Sequence, residues 1–354
     1  MKVNKPLQSL IIASLIFLLG ITTLRLIVPK HQAFNTLSFV NEKLITQGYS
    51  LKETQRILDQ LPVEAQIRLS TQPYQKYVVE RELYPFFESL FDLGYTKKEI
   101  NVLGLLDRSI LIQVIEGKVI EDPVAWFNTD FFLPSKMIRY LDFQRIKPSY
   151  SYRKIVELVN TNRDREVYTE TILADFEASI LLVNKYHYVP KEYVPDNLVE
   201  AKGCGRPTLQ ADAANAYDLM CQAITDAKLP LSTSTSYRSY AFQSILYNQY
   251  LKIYGKAETD QFSARPGYSE HQTGLAVDVN AGVGGMGLFI NSDSYDWMIA
   301  NAHRFGFILR YPQGKEDVTG YQFESWHYTY VGVDIANWIK TKGITLDEAT
   351  HFIQ

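Results

Sequence analysis

Two short runs carry the side chains best suited to chemistry. The first is Ser269-Glu270-His271-Gln272-Thr273-Gly274-Leu275-Ala276-Val277-Asp278; the second is Glu324-Ser325-Trp326-His327. Together they offer two imidazoles, a carboxylate ligand in Asp278 and a spare carboxylate in Glu324. A catalytic zinc site takes three protein ligands and leaves a fourth position for water. A nearby carboxylate can then move the proton as that water attacks. His-x₆-Asp is a weak signal alone, and Glu-x-x-His arises often by chance. Taken together, His271, Asp278 and His327 match the ligand count of an open zinc site, with Glu324 left over as a base.

The chain has six histidines. Only His271 and His327 stand close to carboxylates in glycine-rich or aromatic turn contexts. His303, beside Arg304 on a helical pattern, reads as structural. His187 lies in a tyrosine-rich loop that could line a cleft. Trp326 reads as packing beside His327.

The elements that must position these groups are α+β in pattern. Leu231 to Tyr237 is a Ser/Thr-rich strand, and Tyr240 to Tyr254 is an amphipathic helix that Gly255 ends. Gly274 to Asn280 alternates as a strand. Ser294 to Phe305 is a helix capped by Asp293, with Gly306 past its end. Phe307 to Arg310, Tyr321 to Phe323 and Ile180 to Asn184 read as short strands. Ser151 to Asn160, Leu209 to Lys228 and Val333 to Lys340 read as helices, and Thr345 to Glu348 is a capping box that opens a last one.

The region before residue 165 is helical and holds a repeat. Gly48-Tyr49-Ser50-Leu51-Lys52-Glu53 returns as Gly94-Tyr95-Thr96-Lys97-Lys98-Glu99. Each glycine stands where a helix should stop, and each Ser/Thr-x-x-Glu should cap the next. A spacer or interaction module fits this unit; it lacks the basic run a nucleic-acid reader needs. The net charge of −3 likewise gives no nucleic-acid footprint.

Lys2 and Lys5 precede an apolar run from Leu7 to Leu24. About 18 helical residues rise roughly 27 Å, close to the hydrocarbon thickness of a bilayer. No clear small-residue cleavage site follows, so an uncleaved single-pass anchor in the cell membrane is expected, with the bulk of the chain outside. A cleaved signal peptide is the rival. Cys204 and Cys221 suit an exported chain; a disulfide between them would contribute roughly 3 kcal/mol.

With these residues in view, the chain resembles a known family. Ser236-Tyr237-Arg238-Ser239, then Ala264-Arg265-Pro266-Gly267-Tyr268-Ser269-Glu270-His271-Gln272-Thr273-Gly274, then Glu324-Ser325-Trp326-His327-Tyr328 are similar to the zinc-dependent D-alanyl-D-alanine carboxypeptidases of the vancomycin-resistance type, which share their fold with the hedgehog signalling domain. The resemblance covers roughly residues 175 to 340. It implies a small antiparallel sheet with flanking helices carrying the zinc site, within an organisation of anchor (1–30), helical accessory region (31–165) and carboxypeptidase domain (166–354). It implies one zinc ion per chain on His271, Asp278 and His327, with Glu324 as base. Arg238 matches the arginine facing the scissile carbonyl. Gln243 and Ser269 match residues that hold the peptide's C-terminal end. The implied substrates are peptidoglycan stem peptides ending in D-Ala. The family often has proline where Ser325 stands, which bears on the rigidity of Glu324.

Two rivals remain in view. A serine enzyme of the penicillin-binding type would use Ser151-Tyr152-Arg153-Lys154, yet Ser292-Asp293-Ser294 and Thr341-Lys342-Gly343 only approximate its companion motifs. A noncatalytic cell-wall binding protein on the same fold would lack a ligand or the base. Within the enzymatic reading, an LD-carboxypeptidase acting on tetrapeptide stems is the alternative to a DD-carboxypeptidase, and no motif separates the two.

Overall fold

The computed structural model describes residues 40–60, 66, 69–70, 84–282 and 285–353. The chain forms two compact units, Met1–Phe127 and Asn128–Gln354. The apolar run from Leu7 to Leu24 lies outside the described residues. Among the described residues, no helix is long and apolar enough to cross a membrane.

The first unit is helical. A helix over residues 40–46 precedes α1 (Leu51–Gln60), α2 (Tyr84–Asp92), α3 (Lys97–Leu103), α4 (Arg108–Ile115) and α5 (Pro123–Phe127). Both repeat copies form as their sequences dictate. Gly48 and Gly94 take φ of 104° and 89°, a region open mainly to glycine. The Glu53 and Glu99 carboxylates accept from the Ser50 and Thr96 N–H groups at 2.7 Å. Each hydroxyl in turn accepts from the glutamate's own N–H, which closes the capping box. The repeat tyrosines are buried, and the Ile120 N–H donates to Tyr95 Oη at 2.7 Å.

The second unit holds α6 (Met137–Ile146), α7 (Tyr152–Asn160), α8 (Ala211–Asp226), α9 (Tyr240–Phe262), α10 (Asp293–Asn301), α11 (Glu316–Thr319), α12 (Val333–Lys342) and α13 (Leu346–Ile353). Helices α6 and α7 fall within this second unit. Ion pairs link α7 to the segment around α11. Glu157 on α7 meets Lys315 at 2.8 Å, and Lys154 meets Asp317 at 2.6 Å.

The strands are β1 (Ile172–Leu173), β2 (His187–Tyr188), β3 (Leu198–Glu200), β4 (Thr208–Gln210), β5 (Ser232–Thr235), β6 (Ala276–Asn280), β7 (Phe307–Leu309) and β8 (His327–Tyr330). The last four form one antiparallel sheet in the order β5-β6-β8-β7. Alternation sorts its faces. Val277, Val279 and Tyr328 pack into the main core with Ala213, Tyr217, Met220 and Ile224 of α8. Asp278 and His327 point the other way. Cys204 and Cys221 are bonded, with Cα atoms 5.8 Å apart, and tie the segment before β4 to α8.

Several expected elements differ. Ile180 to Asn184 is not a strand; Ile180 and Leu182 fill an apolar cluster with α12 and α13, and their backbone meets no ladder partner. Tyr321 to Phe323 is also irregular, because Tyr321 packs on Tyr311 and the Gln322 N–H bonds to the Gln261 carbonyl instead of a strand. The strand in this part of the chain is β8, which no alternation announced because nearly all of it is buried. Helix α10 is capped by the Ser292 hydroxyl, which accepts from Tyr295 N–H at 3.2 Å; Asp293 is its first residue. Gly255 does break helix α9, at φ 75°, but helix resumes to Phe262. A positive φ at one residue does not forbid a new turn, and Tyr247 Oη bonding Asp260 at 2.7 Å holds the second part.

Candidate metal centre and active site

His271 sits in a 3-10 turn, Glu270–Thr273, that feeds β6. The turn ends on Gly274 at φ 68°, where a Cβ would stand 2.6 Å from Leu198 Cδ2. Only glycine meets both conditions. The Thr273 hydroxyl donates to the Glu270 carbonyl, and Gln272 Nε2 donates to the Pro190 carbonyl at 2.8 Å. These bonds fix the turn from within and from the loop before it.

The sheet register brings the ligands together. Asp278 on β6 pairs directly with His327 on β8 and, on its other side, with Thr235 of β5. The next residue after Thr235 is Ser236, whose carbonyl lies 2.7 Å from His271 Nδ1. A carbonyl only accepts, so Nδ1 carries the proton and Nε2 presents its lone pair. His271 Nε2 is 3.3 Å from Asp278 Oδ2, and His327 Nδ1 is 3.2 Å from Asp278 Oδ1. One donor atom from each of the three residues lies within 4.8 Å of the others.

Buried His271 Nε2 and Asp278 Oδ1, and also His327 Nε2 on the far side of its ring, have no hydrogen-bond partner of good geometry. Orphaned buried polar atoms are costly unless something binds them. Two imidazole nitrogens and a carboxylate, converging and buried, fit a zinc ion. His271, Asp278 and His327 are thus brought together as their sequence spacing suggested.

Glu324 joins the same cluster. Its Oε2 lies 3.5 Å from His327 Nδ1, and its N–H donates to the Tyr311 carbonyl at 3.1 Å. The Trp326 carbonyl accepts from Val279 N–H at 3.0 Å, so the turn is pinned on both sides of Ser325 without proline. Burial pushes the Glu324 carboxyl up to about 8; Asp278 adds to the rise, and His327 opposes it. Burial and Arg238 push His271 down to about 4. Burial alone would lower His327, but Asp278 and Glu270 carry it up to about 9.

Arg238 follows β5, and its N–H donates to the His271 carbonyl at 3.1 Å. Its Nη1 is 3.9 Å from Asp278 Oδ2, and its buried Nε has no partner. An unpaired donor beside the cluster is what a growing oxyanion needs. Gln243 on α9 is buried; its Nε2 donates to the Ala264 carbonyl at 2.7 Å and its Oε1 has no partner. Ser269 is buried at the head of the His271 turn. His187 lies outside the ligand set and meets Asn184. Trp326 packs against the main core, as read from its type.

Glu270 is the carboxylate nearest His271 in sequence, yet its oxygens are committed. Arg310 Nε donates to Oε1 and Thr329 Oγ1 to Oε2, each at 2.5 Å. Arg310 Nη1 donates in turn to Asp347 Oδ2 at 2.6 Å; Arg310, Thr329 and Asp347 went unread in the sequence, since no spacing links them to the motifs.

Residues 206–333 match the VanY family model, described as D-alanyl-D-alanine carboxypeptidase. The bifunctional D-Ala-D-Ala dipeptidase and D-Ala-D-Ala carboxypeptidase VanXYC of Enterococcus gallinarum is 34% identical over 49% of this chain and 95% of its own length. The chain belongs to the VanY D-alanyl-D-alanine carboxypeptidase family. A D-alanyl-D-alanine carboxypeptidase of Enterococcus faecalis is 36% identical to this VanY-family chain, over 49% of it and 65% of the relative. Among solved structures, the LdcB LD-carboxypeptidase aligns at 33% identity, covering 49% of this chain and 86% of that one, with a TM-score of 0.47. Arg238, Gln243, Ser269, His271, Asp278, Glu324 and His327 all fall inside the matched segment.

Proposed function

We propose that this VanY-family chain is a zinc DD-carboxypeptidase that removes the C-terminal D-alanine from peptidoglycan stem peptides. The observation that carries the reading is Glu324, a buried carboxyl raised in pKa, set 3.5 Å from one of three converging ligands. A zinc ion held by His271 Nε2, Asp278 and His327 Nδ1 would make water nucleophilic near neutral pH and polarise the scissile carbonyl. Glu324 takes the proton as water attacks the carbonyl of the penultimate residue. It then delivers that proton to the departing D-alanine amine. A bound dication would draw its pKa down from about 8 towards the range where it can do both. Arg238 faces the oxygen on which charge grows. Ser269, with a Gln243 N–H, receives the terminal carboxylate, which makes a free chain end a requirement. The DD preference draws on the named activities of the curated relatives. The run from Leu7 to Leu24 supports an anchored chain whose catalytic unit faces the cell wall.

Incubating the full chain with pentapeptide and tetrapeptide stems, and reading products by mass, tests the specificity. The pentapeptide should lose one D-alanine and the tetrapeptide persist. Consumption of the tetrapeptide alone would establish the LD reading, and inertness towards both the noncatalytic one. In the same assay Arg238→Met should lower kcat by about 10²–10³-fold with a smaller change in KM. An unchanged kcat would remove Arg238 from the chemistry.

A further inference from the structure

The proposed reaction leaves a buried charged chain without a use. Arg310 is fully buried between two carboxylates, Glu270 and Asp347, themselves buried. Its Nη1 donates to Asp347 Oδ2 at 2.6 Å. Asn184 Nδ2 donates to Asp347 Oδ1 at 2.8 Å, so the far end of the chain is also held. Burying three charges is expensive, and such a group is often no more stable than an apolar replacement. Its near end is the informative part. Glu270 Oε2, which accepts from Thr329, stands 3.5 Å from His327 Nε2, a buried nitrogen that makes no hydrogen bond of good geometry with any group. The other nitrogen of that ring, Nδ1, is the one turned to Asp278 and Glu324.

We propose that Glu270 is a positioning residue, held by Arg310, Thr329 and Asp347, that keeps the proton on His327 Nε2 and so presents Nδ1 to the metal. The inference rests on the metal-centre reading above. His271 Nδ1 is hydrogen-bonded to a neutral carbonyl at Ser236, whereas His327 Nε2, which makes no hydrogen bond of good geometry, stands 3.5 Å from a carboxylate. A ligating histidine whose outer nitrogen faces a carboxylate is fixed in tautomer and made more basic. Asp347 lies on α13, beyond the segment matched by the family model. The C-terminal helix is thereby coupled to a metal ligand it does not touch.

Arginine only donates, which makes glutamine at 270 a sharp probe. In Glu270→Gln the amide oxygen must serve Arg310, so the NH₂ group faces His327 Nε2. A donor there forces the ring proton onto Nδ1, the metal-facing atom. Zn(II) is titrated into the metal-free full chain against a competing chelator. Folding of each variant is checked by thermal unfolding without metal. The zinc-loaded protein is examined by ¹⁵N-histidine NMR for the His327 Nε2–H signal. Glu270→Gln should weaken Zn(II) about 10–100-fold and shift or lose that signal. Thr329→Val, which frees one oxygen but keeps the Arg310 pair, should weaken Zn(II) by a smaller factor. It supplies the answer if the glutamine variant fails to fold. Wild-type affinity and an unchanged Nε2–H signal in the folded variants would overturn the inference alone. Failure of the wild type to bind Zn(II) would overturn the metal-centre reading and the inference with it.

Discussion

Glu324→Gln lowers kcat by roughly 10²–10⁴-fold while the protein still binds Zn(II). Glutamine keeps the shape of the side chain and the backbone bond to Tyr311. It cannot take a proton from water or return one to the leaving amine. KM should change little, because the side chain acts on the reacting atoms and not on the peptide's end. The variant should not be less stable without metal. Glu324 stands at about 8 in the folded chain, against an ordinary 4.5. The folded state therefore binds this proton more tightly than the unfolded chain. Its contribution is full below about 4.5 and is lost as pH rises to about 8. Glutamine is free of that loss, so metal-free Glu324→Gln should melt no lower than wild type at neutral pH. Steady-state kinetics with a peptide ending in D-Ala-D-Ala, beside a melting curve, checks both statements. Full activity in the variant would remove Glu324 from proton transfer.

Chelation is expected to abolish hydrolysis completely, and Zn(II) to restore it. The orphaned His271 Nε2 and Asp278 Oδ1 are the physical reason. Without a cation these atoms are buried with nothing to bind, and water has no activating partner. Binding also stabilises the fold by mass action, about 4 kcal/mol at a thousandfold excess over Kd. The melting temperature should therefore rise when Zn(II) is added to the metal-free chain. Penicillin should leave the activity untouched. The opposite pattern, resistance to EDTA with loss to penicillin, would return the chemistry to Ser151 and Lys154.

Much of the site is legible in the amino-acid sequence alone, and for a local reason. Metal chemistry demands particular atoms, and few residue types supply them. His271, Asp278, Glu324 and His327 stand out by type, and their turns are marked by Pro266, Gly267 and Gly274. The capping boxes at Ser50, Thr96 and Thr345 are legible for a similar reason, since each is closed by residues three apart. Strand assignment is weaker. Ile180 to Asn184 has the composition of a strand but makes only an isolated bridge, Asn184 with His187, while β8 is buried along nearly its whole length and shows no alternation.

The sequence by itself determined which atoms could bind a metal and which carboxylate was spare, because these follow from residue chemistry and short spacing. Only the tertiary structure decided that Asp278 pairs across the sheet with His327, that Ser236 and Glu270 stand behind the two imidazoles, and that Arg310 joins Glu270 to Asp347. Those are contacts between distant parts of the chain. Strand register and buried ion pairing set them, and neither leaves a periodic trace along the sequence.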